Sequence, residues 1–441
     1  MTFSWRRIRG GRGGVGKIES LKGINSYMEL VVPTHFRCPI SLDLMKDPVT
    51  LSTGITYDRE NIEKWIDSGS VTCPVTNQVL INFDLVPNHS IRKMIQDWCV
   101  KNMSFGIERI PTPRIPITPY EVSEICSRMV AAVQNGDIKR FNELLGKIKK
   151  LARESDRNRS CIVNNGIGSA LADSFECLAR GSIDSNMNLL KEILSSLTWT
   201  FPIDEEGISK LKSTISLRCM AWFLKGEDLS SRQNAIFVLK KLIFADQGTV
   251  DGLKEIEGIE ETLFHNVKIP ICPKATKSCL VVINQMLVQE KSGHEIAFKF
   301  VQMGLISLIL EILVGGDKNI CEKALGVLDC ICNSKEGREI AGENALTIPI
   351  LVKKILRVSD TATKFCISCL WKLCLGEGNE NGLVEAVQLG AFQKLLVVLQ
   401  LGCCERTKEK VTELLKLMNL CRGKLDCFDS STGFKYLNRS N

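Results

Sequence analysis

Residues Phe36–Val49 read FRCPISLDLMKDPV, and 35 positions after Cys38-Pro39 a second pair, Cys73-Pro74, stands within TCPVTNQ at Thr72–Gln78. Two Cys-Pro pairs bracketing a short segment have the layout of half a cross-brace zinc site. Zinc in such a site takes four Cys or His ligands per ion. Three residues after each cysteine, where the next ligand belongs, stand Ser41 and Thr76, and a hydroxyl is a poor zinc ligand. His35 and His89 lie outside the two pairs, so the ligand count reaches two at best. The sequence therefore predicts a fold with no metal and no other cofactor. Ser41 and Thr76 are expected to bond loop backbone, each worth about 1 kcal/mol, while Cys38 and Cys73 serve as small buried apolar residues.

The surrounding segment, 33–103, supplies the apolar partners such a core needs. PVTLSTGITYD reads as a hairpin with Val49 and Leu51 on one strand, Ile55 and Tyr57 on the other, and Gly54 in the turn. Asp58 falls where a helix N-cap belongs, ahead of the stripe Ile62, Trp65, Ile66. A second helix is predicted after Pro87, capped by Asn88, with the stripe Ile91, Met94, Ile95, Trp98.

On either side the composition changes. Residues 1–32 are rich in Arg and Gly, carry a net charge of +4 and show little apolar periodicity, as a flexible basic arm would. Within it, Gly11 to Lys17 (GRGGVGK) matches the first seven positions of a phosphate loop. Ile18 stands where the magnesium-binding Ser or Thr should be, and no buried strand precedes it, so the reading is a solvated arm. Residues 104–119, SFGIERIPTPRIPITP, carry four prolines and read as a stiff linker.

From residue 120 to 425 the pattern is helical and repeats, ahead of a short tail at 426–441. Apolar residues at i, i+3, i+4, i+7 recur from Leu190, Ala235, Leu280, Ala324, Ile367 and Val411, spaced 45, 45, 44, 43 and 44 residues apart, with polar Asn284 at the third position of the Leu280 copy. A second series, starting at Leu305, Ile348 and Phe392, runs 19 residues ahead of the last three. Two series in register at a period near 44, with two or three helices per unit, are the signature of an armadillo-like or HEAT solenoid. Gly258, Gly304 and Gly390, each followed by an apolar residue, suit tight turns between helices. The expected fold is thus mainly α: a small zinc-less α+β domain followed by an α-solenoid.

The chain of 441 residues, 44% hydrophobic and 24% charged, has room for more than one core. Nineteen cysteines, an odd number in a long chain, fit a reducing compartment, so the protein is expected in the cytoplasm, with the nucleus open to it. No membrane span is expected. The net charge of +7 leaves −1 on residues 33–103 and +4 on residues 104–441, too little for a nucleic-acid-binding face. Four histidines, none beside a nucleophile, argue against side-chain catalysis. Cys366 and Cys369, spaced i, i+3 on a repeat helix, lack a second ligand pair and are read as core.

HFRCPISL (His35–Leu42), MKDPV (Met45–Val49), STGITYDR (Ser52–Arg59), IEKWI (Ile62–Ile66), CPVT (Cys73–Thr76) and VPNHSIR (Val86–Arg92) together closely resemble the U-box. That domain is similar to a RING finger that has lost its zinc ligands. A U-box, a proline-bearing linker and armadillo-like repeats in this order resemble the plant U-box/armadillo ubiquitin ligases, and CPVTNQ is similar to their elicitor-responsive subgroup. The resemblance implies an E3 ubiquitin transferase that scaffolds transfer and forms no covalent intermediate. Its partners would be a ubiquitin-charged conjugating enzyme and a protein substrate carried by the repeats, in a defence or stress setting. Carried onto this chain, the docking residues fall on Ile40, Leu42, Trp65 and Pro74. After Thr76, ligases of this type often place an arginine that bridges conjugating enzyme and ubiquitin. Here Asn77 stands there, with neither the charge nor the reach, so docking should survive while the grip on ubiquitin weakens. The competing reading is an armadillo scaffold with an inactive U-box.

Overall fold

The computed structural model describes residues 32–110, 116–288, 293–375 and 380–429. The arm with its GRGGVGK segment and the last twelve residues lie outside them. The chain divides into two units, Met1–Ile115 and Pro116–Asn441.

The first unit is built on β1 (Pro48–Thr50) and β2 (Thr56–Asp58), an antiparallel hairpin that pairs Val49 with Tyr57 and Thr50 with Thr56. Gly54 closes the turn at φ +81°, a left-handed conformation that costs glycine little. Helix α1 (Arg59–Asp67) follows directly. A two-residue strand, β3 (Val86–Pro87), then pairs with the other edge of β1 before α2 (His89–Lys101). No run of alternating residues announces so short a strand. The Asn88 side chain caps α2 by accepting from the Ile91 N–H at 3.0 Å, and its amide donates to Thr50 and Thr56 across the hairpin. The buried face of α2 turns through Ile95 and Cys99, with Ile91 and Trp98 partly covered. Met94, expected on that stripe, is instead exposed, because Cys99 takes the inner position one turn further on. Phe36, Met45, Val49, Tyr57, Ile62 and Ile95 form the rest of the core.

Both ends of the expected linker are occupied. Ile107 and Ile110 pack into the first core, and Ile117 into the second. Residues 111–115 lie outside the described set.

In the second unit, α3 (Pro119–Gln134) starts on a capping box between Thr118 and Glu121, and α4 (Ile138–Glu154) folds back on it. Six triplets of helices follow among the described residues. They are α5 (Asp156–Asn164), α6 (Ile167–Arg180) and α7 (Ile183–Thr200); α8 (Glu205–Leu211), α9 (Thr214–Lys225) and α10 (Leu229–Ala245); then α11 (Gly248–Lys254), α12 (Ile259–Lys268) and α13 (Pro273–Val288). The last three are α14 (Gly293–Gln302), α15 (Leu305–Gly315) and α16 (Lys318–Ile331); α17 (Lys335–Glu343), α18 (Thr347–Lys354) and α19 (Asp360–Cys374); and α20 (Glu380–Gln388), α21 (Ala391–Leu401) and α22 (Glu405–Asp429).

The 44-residue stripe belongs to the third helix of each triplet. Leu190, Ala235, Leu280, Ala324, Ile367 and Val411 are all fully buried, and each third helix packs on the next. The second series marks the middle helices, with two rotations. On α15 the inner positions are Leu305, Ile306, Ile309, Leu310 and Leu313, not Leu308 and Ile312. On α21 they are Ala391, Leu395 and Val398, while Phe392 is only partly buried and Leu396 is exposed. Helices rich in Leu and Val all round do not announce their inner face, so the pattern shifts by one residue. The turn ahead of a middle helix recurs at Gly258, Gly304 and Gly390, with φ of +74°, +85° and +80°. Cys366 and Cys369 are core residues of α19, and burial pushes the Cys366 thiol up to about 12. Among the described residues no single helix is long and apolar enough to cross a membrane.

Candidate docking site

The two Cys-Pro loops are one structure built twice, 35 residues apart. In the first, the Cys38 N–H donates to the Asp43 carbonyl and the Leu42 N–H returns to the Cys38 carbonyl, both at 2.8 Å. In the second, the Cys73 N–H donates to the Gln78 carbonyl at 2.8 Å and the Asn77 N–H to the Cys73 carbonyl at 2.9 Å. The correspondence continues outward: Arg37 bridges Leu44, and Thr72 bridges Val79. It also includes the hydroxyls, since Ser41 Oγ accepts from the Asp43 N–H and Thr76 Oγ1 from the Gln78 N–H, each at 3.4 Å.

Each cysteine sulfur is surrounded by hydrogen-bond donors. Cys38 Sγ accepts from the Asp58 N–H at 3.3 Å and from Asn61 Nδ2 at 3.6 Å, and the same amide donates to Ser41 Oγ at 3.1 Å. Cys73 Sγ accepts from Thr53 Oγ1 at 3.4 Å and lies 3.1 Å from the buried Tyr57 hydroxyl, which also accepts from the Val75 N–H. Both cysteines are fully buried. Among the described residues no group of three His, Cys, Asp or Glu could hold a metal ion.

Burial opposes ionisation of Cys73, but the hydroxyls of Thr53, Thr76 and Tyr57 outweigh it and hold the thiol at about 6. Burial and the sulfur together push the Tyr57 phenol up, as expected of a donor facing a thiolate. A thiol whose folded value is depressed contributes stability that is complete above its unfolded value and is lost as pH falls through about 6. The first unit is therefore expected to gain stability from pH 6 to pH 9. A Cys73→Ala variant, unfolded by denaturant at each pH, should lose that slope.

Asp58 occupies the N-cap position of α1 without capping it. Its Oδ1 instead accepts the backbone N–H groups of Lys46 and Asp47 at 2.9 and 2.7 Å, fixing the exit of the first loop. The second loop is tied to the same helix, where Trp65 Nε1 donates to the Thr72 carbonyl at 2.8 Å. The segment from β2 into α1 thus anchors both loops and places Trp65 beside the second.

Outward from these anchors the loops present apolar surface. Ile40 is 36% exposed and Leu42 67%. Leu42 and Asn77, at corresponding positions, have φ of +64° and +56°. Asparagine tolerates this left-handed region better than other non-glycine residues, whereas leucine is strained there by roughly 1–2 kcal/mol. Pro74 and Trp65 are half-buried, and Asn77 is exposed. Sequence reasoning missed Val75, the counterpart of Ile40 and 51% exposed. The same 35-residue offset that links the cysteines would have found it.

The fold and these paired Cys-Pro loops define a U-box protein with armadillo repeats. Residues 32–104 match the U-box domain, and residues 121–438 the plant U-box protein ARM repeat region. U-box domain-containing protein 21 of Arabidopsis thaliana is 47% identical over 441 residues, covering all of both chains. E3 ubiquitin-protein ligase PUB22 of the same plant is 34% identical, covering 88% of this chain and 94% of its own. A designed armadillo repeat protein aligns with 55% of this chain and 97% of its own at a TM-score of 0.45 and 18% identity. The chain belongs to the plant U-box/armadillo-repeat E3 ubiquitin-ligase family.

Proposed function

We propose that the U-box docks a ubiquitin-charged conjugating enzyme on Ile40, Leu42, Trp65 and Pro74, with Asn77 at the rim, while the repeats hold the protein to be modified. Ubiquitin then passes from the conjugating enzyme's thioester directly to a substrate lysine. The chain contributes proximity and orientation, for which effective molarities can be very large. The observation that carries this reading is Leu42, an apolar side chain 67% exposed on a loop whose hydrogen bonds hold it in a strained conformation. Strain at an exposed apolar residue serves no core, and it suits a surface kept ready for a partner. Direct transfer is favoured because Cys38 and Cys73, the cysteines within the docking loops, are fully buried and out of reach of a thioester. Likeness to the elicitor-responsive subgroup supports a defence or stress role, in the cytoplasm or nucleus.

A mixture of activating enzyme, a panel of conjugating enzymes, ubiquitin and this protein is expected to yield ubiquitin chains on the protein itself. A panel giving none would favour the scaffold reading. In the same mixture Asn77→Arg is expected to raise the rate by about tenfold, since a charge-assisted hydrogen bond contributes roughly 1.5–3 kcal/mol. It should cost about 1–2 kcal/mol of U-box stability, because Asn77 sits at φ +56°, where asparagine is tolerated better than arginine, while Leu42 at the corresponding position of the first loop shows that such a turn can still close around a long side chain.

A further inference from the structure

The two Cys-Pro loops, 35 residues apart, share a backbone but not a surface. The Met45 N–H donates to the Phe36 carbonyl and the Leu80 N–H to the Val71 carbonyl, both at 2.9 Å. Met45 and Leu80 are both buried. Their neighbours differ. In the first loop Phe36 is buried, Leu44 packs against the core and Lys46 is charged. The counterparts in the second loop, Val71, Val79 and Ile81, are 54%, 70% and 94% exposed. An aliphatic side chain left in water gains nothing from burial. One alone would need no explanation, but three share a single ribbon. The Leu80–Val71 hydrogen bond and the bridge between Thr72 and Val79 pair the segments that carry them.

This ribbon is held as firmly as the loop it flanks. Trp65 Nε1 fixes the Thr72 carbonyl, the Cys73 N–H closes on the Gln78 carbonyl, and buried Leu80 anchors the outgoing segment. Exposed Val79 and Ile81 stand on either side of that anchor in the chain. They follow Asn77 by two and four residues, which limits their distance from it along the backbone to about 7 and about 14 Å.

We propose that Val71, Val79 and Ile81 form a ridge that takes an apolar surface of the ubiquitin carried on the docked conjugating enzyme and holds it during transfer. The proposal rests on the docking and direct-transfer reading above. The ridge is continuous with the docking set, which ends at Asn77, so the nearest partner is the docked enzyme with its cargo. Direct transfer needs the thioester-linked ubiquitin held in one orientation, and Asn77 brings no charge to that task. Apolar contact supplies the hold by removing surface from water. Val79 and Ile81 are thus positioning residues, acting on the ubiquitin and not on the thioester or the lysine.

Single-turnover discharge of the charged enzyme to free lysine, titrated with the full chain, separates the half-saturating concentration from the limiting rate. Val79→Ser/Ile81→Ser is expected to lower the limiting rate about tenfold, with an affinity for the uncharged enzyme, by calorimetry, within about twofold of the parent. Ile81→Ser alone should give an intermediate loss. Adding Asn77→Arg to the double variant should restore part of the rate, since a charge-assisted hold replaces the apolar one. Near-unchanged thermal unfolding confirms the fold, both side chains being exposed. A limiting rate equal to the parent's would overturn the proposal. So would an affinity for the uncharged enzyme that falls as far as the rate, which makes the ridge part of enzyme docking. Sedimentation in which the intact chain self-associates and the double variant does not would give the ridge to a second copy and overturn it as well. No acceleration by the intact chain would overturn the ligase reading and this proposal with it, whereas equal acceleration by the double variant overturns this proposal alone.

Discussion

Ile40→Ala and Pro74→Ala are each expected to weaken docking of a conjugating enzyme about thirtyfold or more while leaving the U-box folded. Residues central to an interface, set in a rigid frame, typically cost 2 kcal/mol or more on truncation, and 1.4 kcal/mol is a factor of ten in affinity. Ile40 is 36% exposed and lies outside the core, so its removal leaves no cavity. Neither loop depends on these side chains for its shape. Their closure comes from backbone bonds between Cys38 and Asp43 and between Cys73 and Gln78. Titration calorimetry with the two variants measures the affinity, and near-unchanged thermal unfolding confirms the fold. Val75→Ala should give a smaller loss, as the counterpart of Ile40 on the second loop. An affinity unchanged by all three substitutions would place docking elsewhere.

Asp47→Ala is expected to destabilise the U-box by about 2–4 kcal/mol. The Asp47 carboxylate, one residue ahead of β1, ties both helices of the unit to the start of that strand. Its Oδ2 receives Arg59 Nε of α1 at 2.7 Å, and its Oδ1 pairs with Arg92 of α2. The arginine side chains are only 14% and 12% exposed, and without Asp47 two guanidinium charges stay largely covered by protein. Partial exposure moderates the loss, and Arg59 keeps a longer contact to Glu63 at 3.8 Å. A domain of about 70 residues has only roughly 4–10 kcal/mol in hand, so the variant should approach unfolding at growth temperature. Denaturant unfolding gives the figure. Combining Asp47→Ala with Arg92→Met, which removes one stranded charge, should recover part of the loss; an unrecovered loss would assign the effect to the strand instead.

Much of this architecture could be read from the residues because its periodicities are long and mutually consistent. The stripe from Leu190 to Val411 repeats through six helices, and each copy must bury the same face against its neighbours. Middle helices such as α15 and α21 are apolar nearly all round, so their inner face depends on neighbours that a local pattern does not reveal. In the U-box, the vacant ligand positions pointed to Ser41 and Thr76, and the structure places both hydroxyls in hydrogen bonds. Asp58 misled for a physical reason. A carboxylate before a helix usually caps it, but here two backbone N–H groups of the first loop compete for it and win. The strand β3 is too short for any alternation to show, and it exists because the free edge of β1 needs partners. The strained backbone at Leu42 cannot be inferred from residue type, since leucine is an unusual choice there; it emerges only from the loop's closure.

On the proposed function, the two Cys-Pro loops of the U-box hold a charged conjugating enzyme so that ubiquitin leaves for lysine without resting on this chain. Single-turnover discharge of a ubiquitin-charged conjugating enzyme to free lysine tests it most directly. The intact protein is expected to accelerate discharge strongly, with no effect of a zinc chelator, little acceleration by Ile40→Ala, and no thiol-labile ubiquitin adduct on the chain. Discharge that is as fast with Ile40→Ala as with the intact protein, or that proceeds through such an adduct, would contradict it.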